Sequence, residues 1–237
     1  MRRAGKVVRA VLEKVRGHVK PGATTLDLDR AAEAGLAEFG AKAAFKGYHG
    51  YPAVLCTSVN SEVVHGIPSA KRVLKEGDIV SLDFGAVVDG YFGDSAITVP
   101  VGEKIDPDTA RLLRVTEASL RSGIAAVKPG ATLGDIGAAV QGVVEAEGFS
   151  VVRDFVGHGI GVHMHEDPQV PNFGEAGRGM KLRVGMVIAI EPMVNAGKAD
   201  VRVLGDGWTA VTGDGSMSAH FEHTVAVTAT GATILTE

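Results

Sequence analysis

One hexapeptide limits what this chain can fold into more than any other feature. VKPGAT occurs at 19–24 and again at 127–132, an offset of 108 residues. Each copy follows an amphipathic stretch, VVRAVLEKVRGHV or ARLLRVTEASLRSGIAAV, and precedes another, LDLDRAAEAGLAEFG or LGDIGAAVQGVVEAEGF. Gly40 and Gly148 stand where the second helix of each pair should stop. A helix–turn–helix unit used twice predicts one domain, 1–237, built of two related halves, roughly 1–105 and 106–237. A site shared by such halves belongs on the seam between them.

After each helix pair the texture changes to β-rich runs. DIVSLDFGAVVDGYFGDSAITVPVG (78–102) holds two of them around Asp89-Gly90, a strong hairpin signal. GMVIAIEPMV (185–194) and SAHFEHTVAVT (218–228) read as further strands. No linker or low-complexity segment divides the chain, so the expected fold class is α+β.

Composition narrows the function. A chain of 237 residues at 45% hydrophobic content can bury a sizeable core without staples. Cys56 is the single cysteine, which excludes an internal disulfide and any Cys-x-x-Cys site and fits a reducing cytoplasm. The basic amino terminus is broken by Lys6, Arg9, Glu13, Lys14 and Arg16, leaving no signal-peptide core, and no run of 18 apolar residues predicts a membrane span. A net charge of −4 without blocks of like charge leaves no electrostatic footprint for nucleic acid. A small or peptide substrate is the starting expectation.

The chemistry gathers in the strands. A two-residue turn at Asp89-Gly90 sets Asp83 opposite Ala96 and Asp94 opposite Gly85, so the two aspartates share a face as diagonal neighbours. At about 4 Å and an effective dielectric of ~20 their repulsion is about 4 kcal/mol. A lone aspartate more often faces solvent or caps a turn, and Asp89 fits that role. Glu191 interrupts the apolar run MVIAI, however, and Glu222 sits mid-strand in SAHFEHTVAV. Near these strands only Lys181 and Arg183 are basic, so two divalent cations balance four buried carboxylates better than side chains do. With one histidine from GHGIGVHMHEDP (157–168), the oxygen-rich set suits Mn, Fe(II), Co or Mg, with Zn also open. Carboxylates that bridge two ions hold a shared water whose pKa falls toward ~7, a nucleophile for hydrolysis.

NSEVVHGIP (60–68), SLDFGAVVDGYFGDSA (81–96), GHGIGVHMHEDPQV (157–170), GMVIAIEPMVNAG (185–197) and SAHFEHTVAVT (218–228), in that order, resemble the type I methionine aminopeptidases from end to end. The resemblance implies a pita-bread fold, two pseudo-symmetric halves with a curved antiparallel sheet covered by helices. It implies removal of the initiator methionine from nascent proteins with a small second residue, a metal-bridging hydroxide attacking the scissile carbonyl. Asp83, Asp94, His158, Glu191 and Glu222 match the family's metal ligands: Asp94 and Glu222 bridge, Asp83 completes one ion, and His158 and Glu191 complete the other. His65 and His165 match its substrate-contacting histidines, and Glu191 is also a candidate proton shuttle. Tyr48, Tyr51, Cys56 and Trp208 match its methionine pocket; without the resemblance they read as ordinary core residues. His163, Glu166 and Asp167 match no functional position.

Phe45 and Met164 depart from the family's usual residues beside that pocket, and the chain starts directly at the first helix, MRRAGKVV. No amino-terminal zinc finger and no long insertion before the last strands point to the short, bacterial-like form. The implied partners are amino-terminal methionyl peptides, with the ribosome as a docking candidate, and the implied state is a monomer. A proline-specific aminopeptidase or dipeptidase of the same fold is the competing enzyme reading, and a ligand-binding module without catalysis the competing non-enzyme one.

Overall fold

The computed structural model describes residues 1–237. Up to Pro100, α1 (Arg2–Arg16) and α2 (Thr25–Phe39) lead into β1 (Lys42–Ala43), β2 (Leu55–Val59), β3 (Glu62–Val64), β4 (Ile79–Val88) and β5 (Tyr91–Pro100). Then α3 (Pro107–Ala125) and α4 (Leu133–Ala146) precede β6 (Ser150–Val151), β7 (Gly157–Gly159), β8 (Glu166–Val170), β9 (Val187–Ile190) and β10 (Met193–Asn195). The chain closes with β11 (Val201–Val203), β12 (Ala210–Thr212), β13 (Ser218–His220), β14 (Glu222–Thr228) and β15 (Gly231–Ile234).

The two helix pairs are started by the same chemistry. Thr24 and Thr132 accept a hydrogen bond from the N–H of Asp27 or Asp135, and each aspartate takes the threonine's own N–H in return. These capping boxes satisfy donors that every helix start leaves open. The turns are clamped alike. Gly22 donates to the Leu74 carbonyl and Leu74 to that of Ala23; Gly130 donates to Leu182 and Leu182 to Ala131. Each residue of the second set lies 108 positions after its counterpart.

The strands form a nine-stranded antiparallel sheet in the order β1-β4-β5-β14-β9-β7-β8, with β2 also on β4 and β15 on β14. Two three-stranded sheets, β13-β10-β6 and β11-β12-β3, complete it. The large sheet curls as a half-barrel with the four helices packed on it, which is the pita-bread architecture. One apolar core joins Val8, Leu12 and Leu28 of α1 and α2 to Leu82 and Phe84 of β4. Another joins Leu112, Leu120 and Ile136 of α3 and α4 to Ile188, Ile190 and Val225. Burying each such side chain contributes about 1.5–3 kcal/mol, enough to fix which face of the sheet the helices cover.

That choice of face positions the site. Val80, Leu82, Phe84 and Ala86 are fully buried in the first core, so the alternating residues, Asp83 among them, point the other way. The hairpin turns at Asp89 and Gly90, whose φ values of 52° and 80° are those a type I′ turn requires. Its register pairs Asp83 with Ala96 and Gly85 with Asp94, as expected from the sequence.

Two expected strands are each broken in the middle. GMVIAIEPMV divides into β9 and β10, and SAHFEHTVAVT into β13 and β14. Pro192 has no N–H to offer a ladder, and Phe221 donates to the Pro192 carbonyl where both chains turn. The first run thus leaves the large sheet for a small one beside Glu191, and the second leaves that same small sheet for the large one at Glu222.

Candidate metal centre and substrate pocket

Register explains how residues scattered over 140 positions of sequence meet. Asp83 pairs with Ala96, and Ala96 pairs on its other side with Glu222. His223 pairs with Ile190, so the same register continued by one residue brings Glu191 beside Glu222. Asp94 is diagonal to this row. All four carboxylates and His158 line one cavity of about 440 Å³.

Asp94, His158 and Glu222 form the tight centre, with a donor atom from each within 4.8 Å of the others. His158 Nε2 lies 3.5 Å from Glu191 Oε1 and 4.0 Å from Asp94 Oδ2. Its Nδ1 is 2.9 Å from the Gly159 carbonyl. A carbonyl only accepts, so the proton sits on Nδ1 and the Nε2 lone pair faces the carboxylates, the arrangement of a metal-ligating imidazole. Asp94 and Glu222 are only 4% and 2% exposed. Asp83 and Glu191, expected to be buried, are instead partly open toward the cavity.

The electrostatics need a cation. No lysine or arginine lines the cavity, and Lys181 and Arg183 are exposed. One buried oxygen each of Asp83, Asp94 and Glu222 has no hydrogen-bond partner. Burial, then the charge of Asp94, pushes the Asp83, Glu191 and Glu222 carboxyls well above their ordinary range. Asp94 is pushed up to about 7, chiefly by burial. Like charges held with orphaned oxygens around an imidazole lone pair fit hard or borderline divalent ions, so the residues present suit the metal that the sequence implied.

The apolar end of the cavity is formed by Phe45, Tyr51, Cys56, Met164 and Trp208. Tyr51 donates to the Gly66 carbonyl at 2.9 Å and meets Trp208 edge-on at 5.1 Å. Cys56 pairs across the strands with Asp83, and burial followed by that carboxylate pushes its thiol up, so it is an inert wall. Phe45 fits because Gly85 has no side chain; a Cβ there would stand 2.8 Å from the Phe45 ring.

His65 and His165 stand where the two ends meet. His165 Nδ1 is 2.7 Å from the Tyr48 hydroxyl, and its ring centroid is 4.2 Å from that of His158. His65 adopts φ of 60° beside Trp208 and Phe155, an unusual backbone for a non-glycine residue. Burial lowers the pKa of the His65 ring to about 4, and partial burial lowers that of the more exposed His165. All the singled-out residues therefore reach one cavity, whereas His163 is exposed, its backbone N–H donating to Glu166 and its carbonyl accepting from Gly161. Three neighbours escaped sequence reasoning. His49 lines the cavity from an exposed turn, Phe155 packs on His65, and His220, two residues before Glu222, lies 3.9 Å from Glu191. A second acid-base residue at i−2 in a strand was the available signal for His220.

Architecture and donor set together place the protein among the pita-bread metallopeptidases. The model of metallopeptidase family M24 matches residues 1–229. Methionine aminopeptidase 1 of Bacillus subtilis is 53% identical, over all of this chain and 94% of its own length. The Escherichia coli methionine aminopeptidase is 47% identical, over all of this chain and 89% of its own. The solved methionine aminopeptidase of Thermotoga maritima superposes with a TM-score of 0.98 at 51% identity, over all of this chain and 95% of that one. The chain belongs to family M24 and, within it, to the methionine aminopeptidases. A prolidase from Pyrococcus horikoshii matches at a TM-score of 0.79 but 22% identity, with 60% of that chain covered, and shares the fold alone.

Proposed function

We propose that the protein is a divalent-metal-dependent aminopeptidase that removes methionine from the amino terminus of nascent proteins whose second residue is small. The observation that carries this reading is the single cavity with two unlike ends: a carboxylate cluster lined by no lysine or arginine, with unpartnered oxygens, and an apolar slot beside it. Asp83, Asp94, His158, Glu191 and Glu222 would hold two divalent ions, Asp94 and Glu222 being the two most buried of the carboxylates. Bound there, divalent ions polarise a carbonyl and acidify water at neutral pH.

The protein groups position the peptide and move the proton. Phe45, Tyr51, Cys56, Met164 and Trp208 hold the methionine side chain away from water. His165 accepts the Tyr48 proton at Nδ1, which leaves Nε2–H to donate to the scissile carbonyl oxygen as negative charge develops there. His65 donates to the backbone near the leaving nitrogen. Glu191, which lines the cavity beside His158, takes a proton from the attacking water and passes it to that nitrogen.

The two clamped VKPGAT units support the reading of one domain with halves at roughly 1–105 and 106–237. No helix is long and apolar enough to cross a membrane. A cytoplasmic monomer that meets nascent chains as they leave the ribosome completes the proposal. Asp94→Ala tests it: removing one carboxylate of the tight Asp94–His158–Glu222 group forfeits several kcal/mol, so turnover of Met-Ala-Ser should fall at least about a thousandfold and the metal content of the purified protein should drop. Full activity in this variant contradicts the assignment.

A further inference from the structure

His220 is one of the most enclosed polar side chains in the protein, 1% exposed, and neither ring nitrogen has a hydrogen-bond partner. Its backbone is fixed on both sides by Thr98, whose hydroxyl donates to the His220 carbonyl at 2.7 Å and accepts its N–H at 2.8 Å. The ring lines a small chamber of about 110 Å³ that adjoins the main cavity, shared with His65, Asp83, His158, Glu191 and Met193. A buried imidazole with both nitrogens unsatisfied is costly, and native interiors rarely tolerate it without a reason.

Glu191 supplies the reason. One of its oxygens is 3.5 Å from His158, and the other is 3.9 Å from His220 Nε2, so its carboxylate lies between two imidazoles. The rings differ in tautomer freedom: His158 spends its Nδ1 proton on Gly159, while His220 is free to present an Nε2–H. At 3.9 Å the contact is too long for a direct hydrogen bond. A chamber of this volume far exceeds the ~10–15 Å³ that one bridging water needs.

We propose that His220 is the positioning residue of Glu191: it donates from Nε2, through a water in the small chamber, to Glu191 Oε2 and so turns the other oxygen toward His158 and the metal centre. This rests on the metal-site reading above, in which Glu191 is both ligand and proton carrier. Groups that hydrogen-bond to metal-ligating carboxylates typically change metal affinity 10–100-fold when removed.

The test titrates metal-stripped protein with Co(II), followed by visible absorption and calorimetry, in wild type, His220→Leu, which fills the space without a donor, and His220→Gln, which restores one. The expected result is a Kd at least about 10-fold weaker for one Co(II) in His220→Leu and within about threefold of wild type in His220→Gln. With Co(II) loaded, kcat for Met-Ala-Ser should fall in His220→Leu while KM holds. Equal affinities in all three proteins overturn the proposal, as does equal weakening in both variants, which marks a packing role only. Wild type that binds no Co(II) overturns the metal-site reading itself, and with it this one.

Discussion

Asp83, Asp94, Glu191 and Glu222 are held above their ordinary carboxylate range by burial, while burial holds His65, His158 and His223 down at about 4 and His220 at about 3. The two sets act oppositely on stability. An acid raised by folding binds its proton more tightly in the folded chain, so stability falls as pH climbs from the ordinary value through the folded one. A base lowered by folding does the reverse, and stability grows as pH climbs from the folded value to the ordinary 6.5. Above about pH 6.5 the imidazoles are neutral in both states and only the carboxylates still count. The metal-free protein should therefore lose stability between about pH 6.5 and 8, and a saturating divalent cation should flatten that slope. Urea unfolding at both pH values, with chelator and with Mn(II), measures it; a metal-free protein that gains stability over this window contradicts the burial of the cluster. At this scale much was legible: Asp83 and Asp94 were placed by counting from a turn, and Glu191 and Glu222 by interrupting apolar runs. His220 was less so: its one mark is its place two residues before Glu222, and that both of its ring nitrogens lack a partner is seen only in the structure.

The elements repeat a small vocabulary. The same Thr–Asp box and the same backbone clamp start α2 and α4. Thr24→Ala and Thr132→Ala should each cost about 1 kcal/mol, and as distant sites they should add within about 0.5 kcal/mol in the double variant. Denaturant midpoints at constant slope check both statements. A much larger loss at one cap would mean that the two helix pairs are not doing equivalent work. The helices, the hairpin and its register were readable because period, turn residues and glycine stops are local signals. The breaks within 185–194 and 218–228 were not. A proline after Glu191 hinted at the first, but what divides these runs is the passage of each chain between two sheets, a long-range pairing choice without a local mark.

For the molecule as a whole, the fold brings together what neither sequence half holds alone. The hairpin β4-β5 contributes Asp83 and Asp94, the segments from Gly157 onward contribute His158, Glu191 and Glu222, and the pairing of β5 with β14 joins them. The repeated VKPGAT pointed toward a site drawn from both parts of the chain; the shape of the slot had no such mark, since Phe45 fits there because Gly85 across from it has no side chain. Family membership fixes the chemistry to a metallopeptidase, and in the proposed function the apolar slot beside the carboxylates selects among substrates. The deciding measurement is release of the first residue from Met-Ala-Ser, Met-Leu-Ser and an Xaa-Pro peptide by metal-stripped protein, before and after adding Co(II) or Mn(II). Metal-dependent release of methionine from Met-Ala-Ser, with Met-Leu-Ser at least about 10-fold slower and the Xaa-Pro peptide uncleaved, is the predicted result. Cleavage without metal, or preferential cleavage of the Xaa-Pro peptide, would contradict it.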